Sequence, residues 1–129
     1  MGLISFDFDS TLTMERDIDI LVPEPAENII LLAKELACGF ELVLITSRME
    51  KFEDGGFDDV RACLRRWGIL ELFSSINFTN GEGKAVWCKR NGLIPSVHFD
   101  DDSFEGLSFS EHLPSVAFVL VSNGRSVEV

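Results

Sequence analysis

The chain has 129 residues, of which 46% are hydrophobic, and this composition predicts one globular domain over residues 1–129 rather than a disordered segment. Its net charge of −11 disfavours nucleic acid as a partner, because that binding depends on basic side chains, although a local basic patch stays open. No apolar run approaches the roughly 20 residues of a membrane span and the N-terminus lacks a secretory pattern, so we expect a soluble, cytoplasmic protein without membrane partners.

The first half of the chain alternates short apolar runs with amphipathic stretches. Residues 3–8 and 41–46 are apolar runs of the kind found in parallel strands that are covered on both faces. Apolar residues at helical spacing predict helices over residues 25–37 and 57–67, each closely followed by a glycine that suits a helix end. Residues 10–22 have no strong periodicity, and we expect a turn and a small hairpin there rather than a domain.

The second half continues this alternation. Apolar runs predict three strands, over residues 75–78, 95–99 and 115–121. A helix is predicted over residues 83–91, where a glycine follows its last residue. Asn123-Gly124 lies between apolar runs and signals a hairpin, so residues 126–129 are expected to return as an antiparallel edge strand. Such β-α-β alternation predicts a three-layer α/β/α sandwich around a mainly parallel sheet.

The cysteines and one histidine are read as structural residues. Cys38, Cys63 and Cys88 are dispersed and odd in number, which predicts reduced thiols in core gaps rather than a disulfide framework or a zinc site. His98 lies inside a predicted strand, and we expect it to be a core histidine with its hydrogen bonds satisfied.

Polar side chains follow three of the predicted strands. In chain order the pairs are Asp7 and Asp9, Thr46 and Ser47, and Asp100 and Asp101. Because ligands of such folds bind beyond the carboxyl ends of the strands, we expect these groups to form one site. Carboxylates that converge repel one another unless a cation lies among them, so the pattern also predicts a metal. The first carboxylate could attack phosphorus while the second handles the proton of the leaving group.

Together with a lysine, these groups resemble the four motifs of the haloacid dehalogenase-like (HAD) superfamily of phosphohydrolases, in the family's order. The first motif, hhhDxDxT, matches residues 4–11 (ISFDFDST), and the second, an apolar strand ending in Thr or Ser, matches residues 43–46 (VLIT). The third, a lysine at a helix start, is best matched by Lys84, and the fourth, hhhDDxxx(D/E), matches residues 97–105 (VHFDDDSFE). Four motifs in order are far more specific than an isolated DxD pair. The resemblance covers nearly the whole chain and implies a Rossmann-like, HAD-like fold.

The resemblance implies a magnesium-dependent phosphatase, a phosphomonoester hydrolase that forms an aspartyl phosphate. Asp7 would be the nucleophile, and Asp9 would protonate the leaving alkoxide and then activate water. Thr46 would donate its hydroxyl to the transferring phosphoryl group. Lys84 would offset negative charge as a compact cation, with Lys89 as the alternative lysine.

Thr11, Ser47 and Arg48 are assigned to substrate binding. Ser47 is also the alternative to Thr46 if the strand ends one residue later, and Arg48 is alternatively paired with Glu50 on the surface. The expected substrate is a phosphorylated small molecule or an exposed phosphate on a macromolecule.

The implied cofactor is Mg²⁺, held between Asp7, the backbone carbonyl of Asp9 and the acidic pair of the fourth motif. Mg²⁺ prefers six oxygens, keeps several waters and commonly uses one or two carboxylates. The triple Asp leaves the register open. Strand length favours Asp100 and Asp101, with Asp101 as the direct ligand and Asp100 acting through water, over Asp102.

The chain resembles the minimal members of the superfamily, which have no cap domain, because the gaps between its motifs hold only core elements. An open site admits a bulky substrate or gains a lid from a neighbouring subunit, so a homo-oligomer stays open. Two other functions are retained as alternatives. One is a catalytically silent binding or scaffold protein with this fold; the other is a receiver-like phospho-acceptor domain, whose motifs occur in a different order.

Overall fold

The computed structural model describes residues 2–14, 23–122 and 125–128. In chain order, its helices and strands are β1 (Leu3–Phe6), α1 (Glu27–Leu36), β2 (Glu41–Thr46), α2 (Val60–Arg66), β3 (Phe73–Phe78), α3 (Lys84–Asn91), β4 (Val97–Asp100), α4 (Ser103–His112), β5 (Ala117–Ser122) and β6 (Arg125–Glu128). This alternation confirms the predicted α/β class. Among the described residues, no helix is both long and apolar enough to cross a membrane.

The strands form one sheet in the order β3-β2-β1-β4-β5-β6, and β1 to β5 run parallel. The order reverses beside β1, where Ser5 lies opposite Val43 of β2 on one side and opposite His98 of β4 on the other. Ligands of Rossmann-like sheets bind beyond the carboxyl ends of the strands at such a reversal. The fold therefore places the ends of β1 and β4 side by side at this point.

Side chains of β2 alternate between two apolar clusters. Leu42 and Leu44 belong to the cluster that contains the buried residues of α1 and α2. Val43 and Ile45 belong to the cluster that contains the buried residues of α3 and α4. Each fully buried Leu or Ile contributes about 1.5–3 kcal/mol relative to exposure. Apolar contacts on both faces of β2 therefore stabilise the sheet.

β1 ends two residues earlier than predicted, at Phe6. The chain turns sharply after it, because the Phe8 carbonyl accepts hydrogen bonds from the amides of Thr11, Leu12 and Thr13 at 3.3, 3.0 and 3.1 Å. A residue whose carbonyl closes a turn cannot continue a strand ladder, so the residues after Phe6 lie in a loop at the strand's end.

Two helices begin later than predicted. The Val60 amide donates to both carboxylate oxygens of Glu53, at 3.0 and 3.1 Å, and Asp59 is extended, so α2 starts at Val60 rather than at residue 57. Before α1, Pro25 pairs with Thr13 in an antiparallel bridge instead of joining the helix. The other bounds lie within about two residues of the predicted ones.

α4 is an element that the sequence analysis does not predict. Its N-cap is Asp102, whose carboxylate accepts a hydrogen bond from the Phe104 amide at 2.9 Å. The signal was present, because residues 102–105 (DSFE) have the spacing of a capping box. Phe104 and Leu107 are 77% and 67% exposed, and apolar residues on the solvent side obscure the helical pattern.

The predicted antiparallel edge strand is confirmed, since β6 runs antiparallel to β5 with Ser126 opposite Val121. Asn123-Gly124, which predicted the turn before it, lies outside the described residues. Residues 15–22, which hold most of the predicted small hairpin, also lie outside them.

The cysteine prediction is confirmed in part. Cys63 and Cys88 are buried thiols in α2 and α3. Cys38 is exposed, contrary to the prediction of a core position, because α1 ends at Leu36 and Cys38 lies in the turn that follows.

Candidate active site

The loop after β1 fixes Asp7 at the centre of the sheet edge. The Asp7 amide donates to the carbonyl of Phe99 in β4 at 2.9 Å, which extends the ladder between the two strands by one bond. Ser10 adopts a left-handed conformation, with φ of 60°, and its amide donates to Thr13 Oγ1 at 2.8 Å. Such a conformation is uncommon for serine, so the turn is held by its hydrogen bonds.

Both carboxylate oxygens of Asp7 have a donor. Lys84 Nζ lies 2.7 Å from Oδ1, and Thr11 Oγ1 donates to Oδ2 at 3.1 Å. Burial raises the pKa of Asp7 well above its usual range, although the Lys84 ammonium acts in the opposite direction. Thr11, which the sequence assigned to substrate binding, is fully buried. In the structure its hydroxyl contacts Asp7, so it orients that carboxylate.

Lys84 bridges the acids of the first and fourth motifs. It is the first residue of α3, as predicted, and its Nζ lies 2.5 Å from Asp100 Oδ2 as well as 2.7 Å from Asp7. Burial acts to lower the pKa of Lys84, but the two carboxylates outweigh it and raise that pKa. Its amide donates to Glu105 of α4 at 2.9 Å. The alternative, Lys89, is exposed in the last turn of the helix.

A buried hydrogen-bonded chain lies behind this pair. His98 Nε2 is 2.9 Å from Asp100 Oδ2, and His98 Nδ1 is 2.6 Å from Ser5 Oγ. Burial lowers the pKa of His98, which favours the neutral ring. A carboxylate only accepts hydrogen bonds, so Nε2 carries the proton and Ser5 donates to Nδ1. The hydrogen bonds of His98 and Lys84 lower the pKa of Asp100 against the effect of burial.

His98 is thus the satisfied core histidine that the sequence predicted. Its link to the site was missed. The signal that could have found it is the spacing of His98 and Asp100, which places both side chains on one face of β4. The parallel register supplies the second contact, because it sets Ser5 directly opposite His98.

Three carboxylates are close enough to share a cation. Asp7, Asp100 and Asp101 each offer an oxygen, and these oxygens all lie within 4.8 Å of one another. Asp102 is not part of this group; its carboxylate caps α4, and its amide donates to Asp100 Oδ1 at 3.1 Å. Since Asp100 already accepts from three donors, Asp7 and the exposed Asp101 have more capacity for a cation. An all-oxygen set of this kind could hold a hard divalent cation.

These groups line a cavity of about 360 Å³ at the sheet edge. Asp9, Ser47 and Lys84 contribute polar groups to its wall, and Phe104 is its one aromatic side chain among the described residues. Thr46 is fully buried, and its Oγ1 accepts a hydrogen bond from the Arg48 amide at 3.3 Å. Of the two hydroxyl residues predicted at the end of β2, the alternative one, Ser47, is therefore the one that lines the cavity.

Arg48 contacts Asp9, an interaction that sequence reasoning missed. Arg48 Nε donates to Asp9 Oδ2 and Nη2 donates to Oδ1, both at 2.8 Å, in a bidentate pair. The predicted alternative partner, Glu50, lies 4.0 Å from Arg61 instead. The hydrogen bond to Asp9 raises the pKa of Arg48. No local signal identifies this pair, because the two residues are 39 positions apart and only the sheet order brings them together.

No protein-family model, curated protein or solved structure matches this chain. What the arrangement can do follows from its own residues. It combines an oriented carboxylate and a buried ammonium with a group of carboxylates that could hold a cation, a further carboxylate and a hydroxyl around one open cavity.

Proposed function

We propose that the chain is a magnesium-dependent phosphomonoester hydrolase that acts through an aspartyl phosphate, as its resemblance to the HAD superfamily implies. One observation carries the proposal. Asp7 is oriented by Lys84 and Thr11 at the end of β1, and it has an oxygen within 4.8 Å of one from Asp101. A purely structural cluster has no reason to turn these groups toward an open cavity.

The fold supports this proposal in two ways. The alternation of β2 side chains between two apolar clusters is what a three-layer α/β/α sandwich requires. Residues 47–83, between β2 and α3, hold α2, β3, two 3₁₀ turns and the loops that join them, as expected of a capless member of the superfamily. A cytoplasmic location stays a prediction.

Asp7 and Asp101 would hold Mg²⁺ directly, with Asp100 acting through water and the backbone carbonyl of Asp9 as a further predicted oxygen. When bound, the ion would offset the charge of the phosphate and polarise phosphorus. Lys84 would add a fixed positive charge beside the nucleophile.

The reaction takes two steps. In the first, a carboxylate oxygen of Asp7 forms a bond to phosphorus, the bond from phosphorus to the ester oxygen breaks, and Asp9 gives its proton to the leaving alkoxide. In the second, Asp9 takes a proton from water as the water oxygen attacks phosphorus. The acyl phosphate bond then breaks, which restores the Asp7 carboxylate and releases inorganic phosphate. Ser47, at the cavity wall, would donate its hydroxyl to a phosphoryl oxygen.

The proposal is tested by phosphate release from an aryl phosphate and a panel of metabolite phosphates, with Mg²⁺ and with chelator. Turnover is expected only with Mg²⁺, and Asp7→Asn should lower kcat at least about a thousandfold. Asp102→Ser is the matched control, because serine keeps the helix cap while removing a nearby acid.

Two results would contradict the proposal. If no compound turns over and Asp7→Asn binds ligands as the wild type does, the chain is a binding or scaffold protein. If acetyl phosphate instead produces a stable, lone phosphoaspartate, the receiver-like alternative is correct.

A further inference from the structure

The guanidinium of Arg48 makes three hydrogen bonds and stacks on an aromatic ring. Besides the two bonds to Asp9, Nη1 donates to the Asp58 carbonyl at 2.9 Å, and the group lies over the Phe8 ring with Cζ 5.1 Å from the ring centroid. The Arg48 side chain is 23% exposed and that of Asp9 is 46% exposed. Asp9 lines the cavity, and Arg48, which is hydrogen-bonded to it, lines a neighbouring cavity together with Asp58.

We propose that Arg48 is a phosphate-binding residue that is stored on Asp9 before substrate binds, and that a phosphoryl group exchanges with Asp9 for the guanidinium. This inference rests on the proposed function and extends it. It makes Arg48 the residue that links arrival of the phosphate to release of the Asp9 carboxylate.

The exchange is chemically matched. The guanidinium fork binds two oxygens of a carboxylate and two oxygens of a phosphate in the same way, and a phosphate carries more charge. Asp9 lines the cavity, and the guanidinium of Arg48 lies 2.8 Å from both of its oxygens. Only the Asp9 carboxylate therefore separates the guanidinium from a ligand bound beside Asp9. A phosphoryl group in the cavity therefore offers Arg48 a chemically equivalent substitute for its present partner.

The backbone favours a movement of the side chain alone. The Arg48 amide donates to Thr46 Oγ1 at 3.3 Å, and its carbonyl accepts from the Asn80 amide at 3.2 Å. These bonds tie the Arg48 backbone to the end of β2 and to the loop after β3. The guanidinium can therefore change partners by rotation of its own torsions while the loop stays in place.

The consequence for Asp9 is direct. While the fork is in place, each Asp9 oxygen accepts one N–H from Arg48. Transfer of the guanidinium to phosphate frees both oxygens, and Asp9 then takes up from solvent the proton that it gives to the leaving alkoxide. Neutral ligands offer the guanidinium no such partner and leave Asp9 paired, so Arg48 also contributes to the selection of anionic ligands.

The first test is spectroscopic and needs no turnover. In protein labelled with ¹⁵N-arginine, the Arg48 Nε–H signal is assigned by its loss in Arg48→Lys and followed as inorganic phosphate is added with Mg²⁺. It should shift on phosphate binding. Asp9→Asn should change this signal in the phosphate-free protein and have little effect once phosphate is saturating. Phosphate binding that leaves the Arg48 signal unmoved would overturn the inference.

The second test separates binding from structure by kinetics. Arg48→Met should raise KM for a phosphate ester by about tenfold or more, and Arg48→Lys should recover part of that loss. Arg90→Met is the matched control, because Arg90 has a surface partner, Glu82, at 2.7 Å and no contact with Asp9 among the described residues; its KM should stay unchanged. An unchanged KM in Arg48→Met together with lower stability would show a structural role and overturn the inference. Absence of turnover by the wild type would instead count against the proposed function itself.

Discussion

His98 and Lys84 meet on the same carboxylate oxygen, Oδ2 of Asp100, at 2.9 and 2.5 Å. One donor is a neutral ring inside the sheet and the other is an ammonium group that also contacts Asp7. The buried ring of His98 therefore helps to fix the position of the Asp100 carboxylate, which Lys84 links to Asp7.

Replacing His98 with Phe should therefore destabilise the protein without removing its aromatic packing. The ring lies against Phe109 and Phe118, with centroids 4.9 and 6.0 Å away, so the new ring keeps similar neighbours. The expected cost is about 1–3 kcal/mol, because Asp100 loses a buried donor. Ser5→Ala should cost less, about 0.5–1.5 kcal/mol, since it removes one neutral hydrogen bond. Urea unfolding measures both, and a larger loss in Ser5→Ala would contradict this assignment.

Lys84→Met should be among the most damaging substitutions in metal-free protein. It leaves Asp7 and Asp100 buried without their ammonium partner, at an expected cost of about 3–5 kcal/mol in the free energy of unfolding. Added Mg²⁺ should recover part of that loss. Lys89→Met is the control, and as an exposed substitution it should stay within about 0.5 kcal/mol of the wild type. If the two substitutions lowered stability equally, Lys84 would not be the cation that stabilises Asp7 and Asp100.

Mg²⁺ should stabilise the wild type, by about 2.7 kcal/mol at a concentration a hundred times its Kd. Asp101→Asn should abolish most of this gain, because Asp101 offers one of the clustered oxygens. Asp102→Ser should keep it, because Asp102 caps α4 and lies outside the cluster. Thermal unfolding with and without Mg²⁺ checks both variants. Loss of the gain in Asp102→Ser, with Asp101→Asn unaffected, would shift the metal register by one residue.

In chelator, the stability that Asp7 contributes should fall as the pH rises from about 4 toward neutral. Burial raises the pKa of Asp7, so the folded chain keeps that proton in a range in which the unfolded chain has lost it. Such a group contributes stability that is complete below the unfolded pKa and is lost as the pH rises through the folded pKa.

Asp100 acts in the opposite sense. Its lowered pKa gives stability that is present above the unfolded value of about 3.9 and is lost as the pH falls through the folded value. Unfolding is measured from about pH 4 to about pH 8, a range in which the lowered pKa of His98 also gives stability that is lost as the pH falls below about 6.5. His98 titrates in both proteins, so the difference between the wild type and Asp7→Asn isolates the contribution of Asp7, and that contribution should decline toward neutral pH. Identical pH dependence in this variant and the wild type would contradict the assignment.

Thiol labelling of the native protein should modify one cysteine rapidly. Cys38 is exposed, whereas Cys63 and Cys88 are buried, and burial raises the pKa of Cys88 to about 12. The thiolate is the reactive form, so Cys88 should react only after unfolding. Mass spectrometry after brief alkylation, native and in denaturant, gives the count at each position. Rapid native labelling of Cys88 would indicate that α3 opens.

The sequence was sufficient for the elements whose patterns are local. β2 has the predicted bounds because residues 41–46 are apolar on both faces of a central strand. The gathering of Asp7 and Asp100 also followed from the sequence, since the ends of parallel strands meet at one edge, whereas Lys84 was assigned to the site by the resemblance to the superfamily. In both cases one periodicity or one rule of sheet topology was enough.

The remaining features depend on contacts that no local pattern carries. The pair of Arg48 and Asp9 requires β1 and β2 to be neighbours and the loop after β2 to turn back across them. The choice between Thr46 and Ser47 depends on which hydroxyl the backbone presents at the strand's end. α4 escaped prediction because Phe104 and other apolar residues lie on its solvent side.

The amide of Asp7 donates a hydrogen bond to the carbonyl of Phe99, so the backbone of the proposed nucleophile belongs to the hydrogen-bond ladder between β1 and β4. In the proposed reaction, a phosphate on Asp7 would be attached to a backbone position that the two central strands hold in place, as suits a short-lived intermediate of hydrolysis.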